Sequence, residues 1–279
     1  MGVDGSDQSE PSLRGGIDMD TNTTIGVYFT GAGSTKKIVH RICSRLDDAF
    51  VEFDITPHGA GVEHRFAAGD IAVFGVPSYG GRVPAPALER IASLRGNGAL
   101  AVLAVSYGNR DIDDTLLELA DAVEKAGFTI VAGGAFVAHH SLMTNVAQGR
   151  PDTCDLADID CFSAHVAEKV RDAADVADLA ARKPDIPGSR PYREFSGVPF
   201  QPRATSSCTG CGLCARACPT GAIPEENPAH TDSSACISCM RCVHVCRLQG
   251  RSITGFKYRI ARFAFAYTVK TRQGSRVYL

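Results

Sequence analysis

The chain has 279 residues, 44% of them hydrophobic and 22% charged, with a net charge of −2. That composition belongs to an ordinary globular protein long enough for two domains, one with a sizeable core. The balanced charge gives no basis for nucleic-acid binding, and no apolar run is long enough for a membrane span. Residues 1–22 are polar and rich in Gly, Ser and Asp, which predicts a disordered leader.

From residue 23 to 182 strand and helix patterns alternate. Thr24–Thr30 reads as a buried strand ending in the turn Gly31-Ala32-Gly33-Ser34-Thr35. A helix is predicted over Lys36–Leu46, where Ile38, Val39, Ile42 and Leu46 share one face. Strands are predicted at Phe50–Ile55, Asp70–Val76, Leu100–Val105 and Phe128–Phe136. Helices are predicted at Pro86–Leu94 and Asp113–Ala126, and an Ala-rich closing helix at Leu156–Ala180. Asp111, Asp113 and Asp114 are expected to cap a helix, and Cys43 and Cys161 to be core thiols. This alternation predicts an α/β fold: a five-stranded parallel sheet, doubly wound, in the flavodoxin-like order 2-1-3-4-5.

Three loops fall at the C-terminal ends of strands, where open α/β sheets bind ligands. Thr30–Thr35 combines glycines and hydroxyls at a helix start, the composition of a phosphate cradle. It lacks the spacing and the terminal Gly-Lys-Ser/Thr of a Walker loop. The second loop is Pro77-Ser78-Tyr79-Gly80-Gly81-Arg82-Val83-Pro84, and the third is Ser106-Tyr107-Gly108-Asn109-Arg110. Each alone also reads as an ordinary turn. His139-His140 follows the fifth strand, where direct proton chemistry is the minority reading.

Residues 183–203 contain five prolines and little periodicity, so they read as an extended connector. Next comes a cysteine repeat over residues 204–250. Cys208, Cys211, Cys214 and Cys218 follow the spacing Cys-x2-Cys-x2-Cys-x3-Cys, and Cys236, Cys239, Cys242 and Cys246 repeat it 28 residues later. Zinc sites favour paired Cys-x2-Cys hooks, and disulfide frameworks favour small secreted domains. Neither fits sets of three plus one. The other three cysteines are dispersed, as expected in a reducing cytoplasm. Residues 251–279 form a basic extension with Arg251, Lys257, Arg259, Arg262, Lys270, Arg272 and Arg276 and no acidic residue. Phe256, Ile260, Phe263 and Tyr267 fall at helical spacing within it. Its charge is either a solvated surface or a docking patch for an acidic redox partner.

The cysteine stretch resembles bacterial two-cluster ferredoxins. Pro219 follows Cys218 as in that pattern, whereas Arg247 stands where a second proline is usual. The resemblance implies two [4Fe–4S] clusters with crossed ligation. Cluster I would take Cys208, Cys211, Cys214 and Cys246; cluster II would take Cys236, Cys239, Cys242 and Cys218. The loops resemble the FMN-binding loops of flavodoxins. That likeness assigns Thr30, Ser34 and Thr35, with the N–H groups of Ala32 and Gly33, to the phosphate. It assigns Ser78, Tyr79, Gly80 and Gly81, with Tyr107, Gly108 and Asn109, to the ring. The whole chain is similar to flavodoxin–ferredoxin fusion proteins of anaerobes, also at Gly133–Phe136, His140-Ser141 and Gly149–Asp152.

The resemblance implies an electron-transfer protein that passes electrons between FMN and the clusters, and on to a redox partner protein or small-molecule acceptor. An FMN-dependent reductase of a small organic substrate is the alternative, and a cluster-based redox sensor is another.

Overall fold

The computed structural model describes residues 23–279; the leader predicted at 1–22 lies outside the described residues. In chain order the elements are β1 (Thr24–Tyr28), α1 (Ser34–Leu46), β2 (Val51–Asp54), β3 (Ile71–Pro77), α2 (Ala85–Ala92), β4 (Leu100–Tyr107), α3 (Thr115–Lys125), β5 (Thr129–Val137), α4 (Thr153–Arg171) and α5 (Val176–Ala181). The second half contributes β6 (Arg203–Ala204), α6 (Leu213–Arg216), α7 (Arg241–His244), β7 (Arg251–Ser252), α8 (Phe256–Thr268) and β8 (Arg276–Tyr278).

Strands β2-β1-β3-β4-β5 lie side by side and all pair in parallel. β3 and β4 are buried along their whole length because helices cover both faces. On one face α1 packs Ile38, Val39 and Ile42, and α4 packs Ile159, Phe162 and Val166. On the other, α2 and α3 contribute Ala87, Ile91, Leu116, Leu119 and Val123. The order reverses between β1 and β3, so the loops after these strands flank a crevice.

Four expectations are corrected. The sheet has a sixth strand: β8 pairs antiparallel with β5, so the end of the basic extension is part of the first domain's sheet. The closing helix starts earlier, at a capping box in which Asp152 and Asp155 exchange side-chain bonds with each other's backbone. It also breaks after Arg171, because Asp175 accepts from the Asp178 N–H and starts α5 afresh. Cys43 is buried and its thiol pushed up by burial, but Cys161 lies on the exposed side of α4.

The carboxylates after β4 bind other segments and do not cap α3. Asp114 accepts from the N–H groups of Ser189 at 2.8 Å and Arg193 at 2.7 Å. Asp113 pairs with Arg110 and Arg193, and Asp111 with Arg276. The proline-rich connector therefore runs back along the first domain, pinned also where Asp121 accepts from Arg190 and Tyr192. The second domain is small: β6 and β7 pair, and α6 and α7 each follow a cysteine loop.

Candidate functional site: two cysteine cavities and an adjoining cleft

The cysteine repeat is also a repeat of backbone shape. Gly210 and Gly212 have φ of 71° and 76°, and their counterparts Ser238 and Met240 have 54° and 65°. Left-handed backbone suits glycine and costs about 1 kcal/mol for a side chain that cannot hydrogen-bond locally. Met240 occupies it nonetheless, and its side chain packs among Leu142, Met143, Val146 and Tyr258 across the domain boundary. Burial there offsets the strained backbone.

One cavity, of about 730 Å³, is lined by Cys208, Cys211, Cys214 and Cys246. A second, of about 330 Å³, is lined by Cys218, Cys236, Cys239 and Cys242. Each four-residue helix carries the third cysteine of its run and ends before the fourth, which leaves for the other cavity. Among the described residues no three His, Cys, Asp or Glu side chains converge on a single ion. Thiols ringing a cavity suit a cluster, whose iron atoms spread the ligands apart. Burial pushes the Cys239 thiol up to about 12 and Cys242 to about 11. Iron's charge reverses that preference when it binds thiolate. Arg251 is fully buried beside the first cavity, with Nη1 3.8 Å from Cys214 Sγ and 2.6 Å from the Pro228 carbonyl.

The crevice between the loops after β1, β3 and β4 forms the third region. One part, of about 440 Å³, is walled by Thr30, Gly31, Ala32, Ser34 and Thr35 with Ser78, Tyr79, Tyr107 and Gly108. Gly33 N–H donates to Thr30 Oγ1 at 3.0 Å, and the Thr35 hydroxyl shares a 2.8 Å bond with Ser106. Those groups shape the loop. Among the described residues, the N–H groups of Ala32, Ser34 and Thr35 meet no acceptor, and the last two open α1. Together with the α1 dipole they favour an anion.

The adjoining part, of about 810 Å³, lies between Ser78–Gly81 and Gly108–Asp111. Tyr79 and Arg82 exchange backbone bonds across Gly80 and Gly81, whose φ of 61° and 85° make a tight turn only glycine enters cheaply. The space beside these two Cα atoms is taken by Phe195 and Asp113. The two glycines therefore serve the turn and the connector as well as the cleft wall. Ser78 Oγ is bonded to Thr115 at 2.8 Å. Tyr107 donates to the Gly274 carbonyl at 2.7 Å, and Asn109 Nδ2 donates to the Val269 and Thr271 carbonyls. Asn109's side chain thus anchors the C-terminal segment, and Asn109, expected at the ring, lines neither part of the cleft.

Residues from outside the three loops complete the cleft. His140 lines both parts, with Nδ1 accepting from the N–H groups of Leu142 and Met143 at 3.3 and 3.2 Å. Its proton is therefore on Nε2, and burial lowers its pKa to about 4. Phe195, Ile237, Ser238 and Phe265 form the opposite wall. His244 lies over the first loop, with Nε2 3.1 Å from where a side chain on Gly33 would begin. His140 was singled out in the sequence, and Ile237 and Ser238 lie within the cysteine repeat, but no local motif places Phe195, His244 or Phe265 at the cleft.

The second cysteine cavity abuts this cleft. Tyr79 Oη donates to the Cys239 carbonyl at 3.4 Å, and burial pushes its phenol well up. A Cβ on Gly31 would stand 2.0 Å from the same carbonyl, so only glycine admits this approach. Arg241 pairs with Asp54 at 2.9 Å and donates to the Thr30 carbonyl at 3.2 Å.

Residues 204–250 match the model of a 4Fe-4S dicluster domain. No curated protein matches the chain. Similar solved structures include the rubredoxin oxygen:oxidoreductase of the anaerobe Desulfovibrio gigas, at 18% identity and a TM-score of 0.39. That match covers 57% of this chain and 37% of the other, so the chain spans little more than a third of that protein. A flavodoxin from the domain Archaea is 16% identical over 53% of this chain and 98% of its own, with a TM-score of 0.36. A Streptococcus pneumonia TIGR4 flavodoxin is 18% identical over 53% and 99%, also at 0.36. The strand order itself defines the first domain as flavodoxin-like. The chain joins that sheet to a dicluster domain, the architecture of a flavodoxin–ferredoxin fusion.

Proposed function

We propose that the protein transfers electrons between an FMN in the cleft and a partner, by way of its two clusters. FMN exchanges electrons in pairs or singly and a cluster exchanges them one at a time, so the pair converts between the two kinds of traffic. The observation that carries this reading is the shared Cys239 peptide: its carbonyl touches Gly31 of the first loop and Tyr79 of the second. A cluster held by Cys239 would in this way lie next to the cleft.

The residues have distinct tasks. The N–H groups of Ala32, Ser34 and Thr35 would hold the phosphate, aided by the start of α1. Tyr79 and Tyr107 wall the cleft, and the N–H group of Gly108 offers a donor to the ring's polar edge. Cys218, Cys236, Cys239 and Cys242 would hold cluster II, and Cys208, Cys211, Cys214 and Cys246 cluster I. Phe265, Phe195 and Ile237 exclude water from the same space, which strengthens each polar contact inside it.

Protein purified without oxygen should contain FMN and about eight irons per chain. Iron without flavin would overturn the reading of the cleft. A second reading, reduction of a small organic acceptor, is favoured by His140, a neutral imidazole with its Nε2 proton in an apolar-walled cleft. Steady-state turnover with a panel of acceptors separates the two. Rates no higher than those with redox dyes would sink the reductase.

A further inference from the structure

Helix α8 is apolar on two opposite sides. Its inner side packs Tyr258, Ala261 and Phe265 into a small core with Leu142, Met143 and Val146 of the first domain and Met240 and Val243 of the second. Tyr258 Oη donates to the Leu142 carbonyl at 2.6 Å, so the helix straps the domains together. Its outer side carries Phe256, Ile260, Phe263 and Tyr267, which remain 75%, 52%, 70% and 74% exposed. At about 100° per residue these four positions fall within an arc of about 60°. A surface helix normally turns charge outward, so an outer stripe of three aromatic rings and an isoleucine marks a face with a partner.

The flanks identify that partner. Lys257 lies on one side of the stripe and Arg259 on the other, and Lys270 follows with its ammonium 4.9 Å from the centre of the Tyr267 ring. None of these three takes part in the ion pairs formed among the described residues. Arg272 and Arg276, by contrast, are bound to Asp152 and Asp111. No Asp or Glu occurs from Arg247 to Leu279. The stripe is exposed and has positive charge along both margins. Protein interfaces are depleted in lysine, although they share the aromatic and arginine content of this stripe. In a symmetric pairing of two copies, the like-charged margins would lie against each other.

The geometry points to an anionic lipid surface as the occupant: α8 lies in the plane of the headgroups, its rings among the upper acyl carbons. Lys257, Arg259 and Lys270 reach out from both margins to lipid phosphates. Among the described residues no helix is long and apolar enough to cross a membrane, so this contact is peripheral. The inference is independent of whether the cleft holds FMN.

The test uses the full-length protein with its clusters, kept anaerobic. It is sedimented with vesicles of phosphatidylcholine alone or mixed with phosphatidylglycerol. Association with the mixed vesicles, absent with phosphatidylcholine and reversed by salt, is expected. F263D should lower partitioning at least about tenfold, since it replaces a buried ring with a charge. The K257E/R259E double variant should do the same while both variants keep the wild-type iron content and visible spectrum. Three outcomes would overturn the inference. The first is no association with either vesicle, and the second is equal association with both. The third is a stripe occupied by protein instead. That would appear as concentration-dependent dimers abolished by F263D, or as electron transfer to an acidic soluble carrier that F263D slows without any vesicle binding.

Discussion

The two cysteine cavities share one ligand spacing and differ in almost everything around it. Around cluster II the backbone is tied to the first domain at several points: His58 N–H to the Cys218 carbonyl at 3.3 Å, Arg90 to the Pro219 carbonyl at 2.7 Å, and Tyr79 to the Cys239 carbonyl. Three of its four cysteines are buried. Around cluster I the bonds stay within the small domain, as where Thr205 N–H meets the Gly250 carbonyl, and Cys211 is exposed. Equivalent chemistry thus occupies unequal positions. In the proposed transfer, cluster II is the relay facing the cleft and cluster I is the outlet facing the partner.

The largest expected effect breaks this comparison ligand by ligand. Cys239→Ser and Cys211→Ser should each lower iron from about eight to about four per chain. Only Cys239→Ser should isolate the flavin, because it removes the relay. Anaerobic photoreduction followed by electron paramagnetic resonance reads the remaining cluster in each. If the Cys239→Ser protein still reduced cluster I at the wild-type rate, the near and far assignment would be wrong.

Next in size is the contact itself. Gly31→Ala drives a Cβ into the Cys239 carbonyl, and overpacking of this kind costs up to about 3 kcal/mol. Gly210→Ala, at the far cluster, meets nothing within 4 Å and pays only for its φ of 71°, about 1 kcal/mol. Urea midpoints measured anaerobically on both proteins should rank them in that order. The first should also slow transfer between flavin and clusters, and the second should leave it intact.

These contacts explain what was legible in the sequence. The doubly wound sheet was readable because β3 and β4 are unbroken apolar runs and each helix shows one apolar face. The dicluster stretch was readable because metal chemistry fixes the spacing of its cysteines. The second loop's likeness to the first was half hidden: Ser238 and Met240 occupy backbone that Gly210 and Gly212 advertise. Strand β8 was unreadable, since three residues alternating beside a basic tail make no periodic signal. Phe195, His244 and Phe265 reach the cleft only through tertiary packing, and no local pattern encodes that. Polar residues of the loops also proved double-purposed: Asn109 looks like a ligand and holds the C-terminal segment.

Arg251 sharpens the comparison from the far side. Among the described residues it is buried without a carboxylate partner; it donates to the Pro228 and Pro202 carbonyls and to Thr231, and of the cysteines its guanidinium is bonded only to Cys214, so thiolates in the first cavity would offset its charge. At an effective dielectric of about 20, a unit charge about 8 Å away contributes about 2 kcal/mol, or on the order of 100 mV. Arg251→Met should lower the cluster I potential by that amount and the cluster II potential by less, and Arg251→Lys should restore most of it. A redox titration resolves the two. Equal shifts would mean that the guanidinium serves both clusters alike.

The smallest effect concerns acid, and it falls on the near side. On that side His140, beside the cleft, is the group that titrates. Its pKa is about 4 folded, against about 6.5 when exposed. A histidine held neutral in the folded state contributes its full stability above the unfolded pKa. That contribution falls as pH drops from 6.5 towards 4, because the unfolded chain takes up the proton first. Between pH 7 and 5.5 the loss is about 1 kcal/mol. His140→Gln keeps an acceptor for the Leu142 and Met143 N–H groups and removes the titration. Its urea midpoint should fall less than the wild type's over that interval, with iron content unchanged in both. A wild-type midpoint that stays level from pH 7 to 5.5 would show His140 to be solvated and free to protonate, and with it the near side would lose its distinction from the far one.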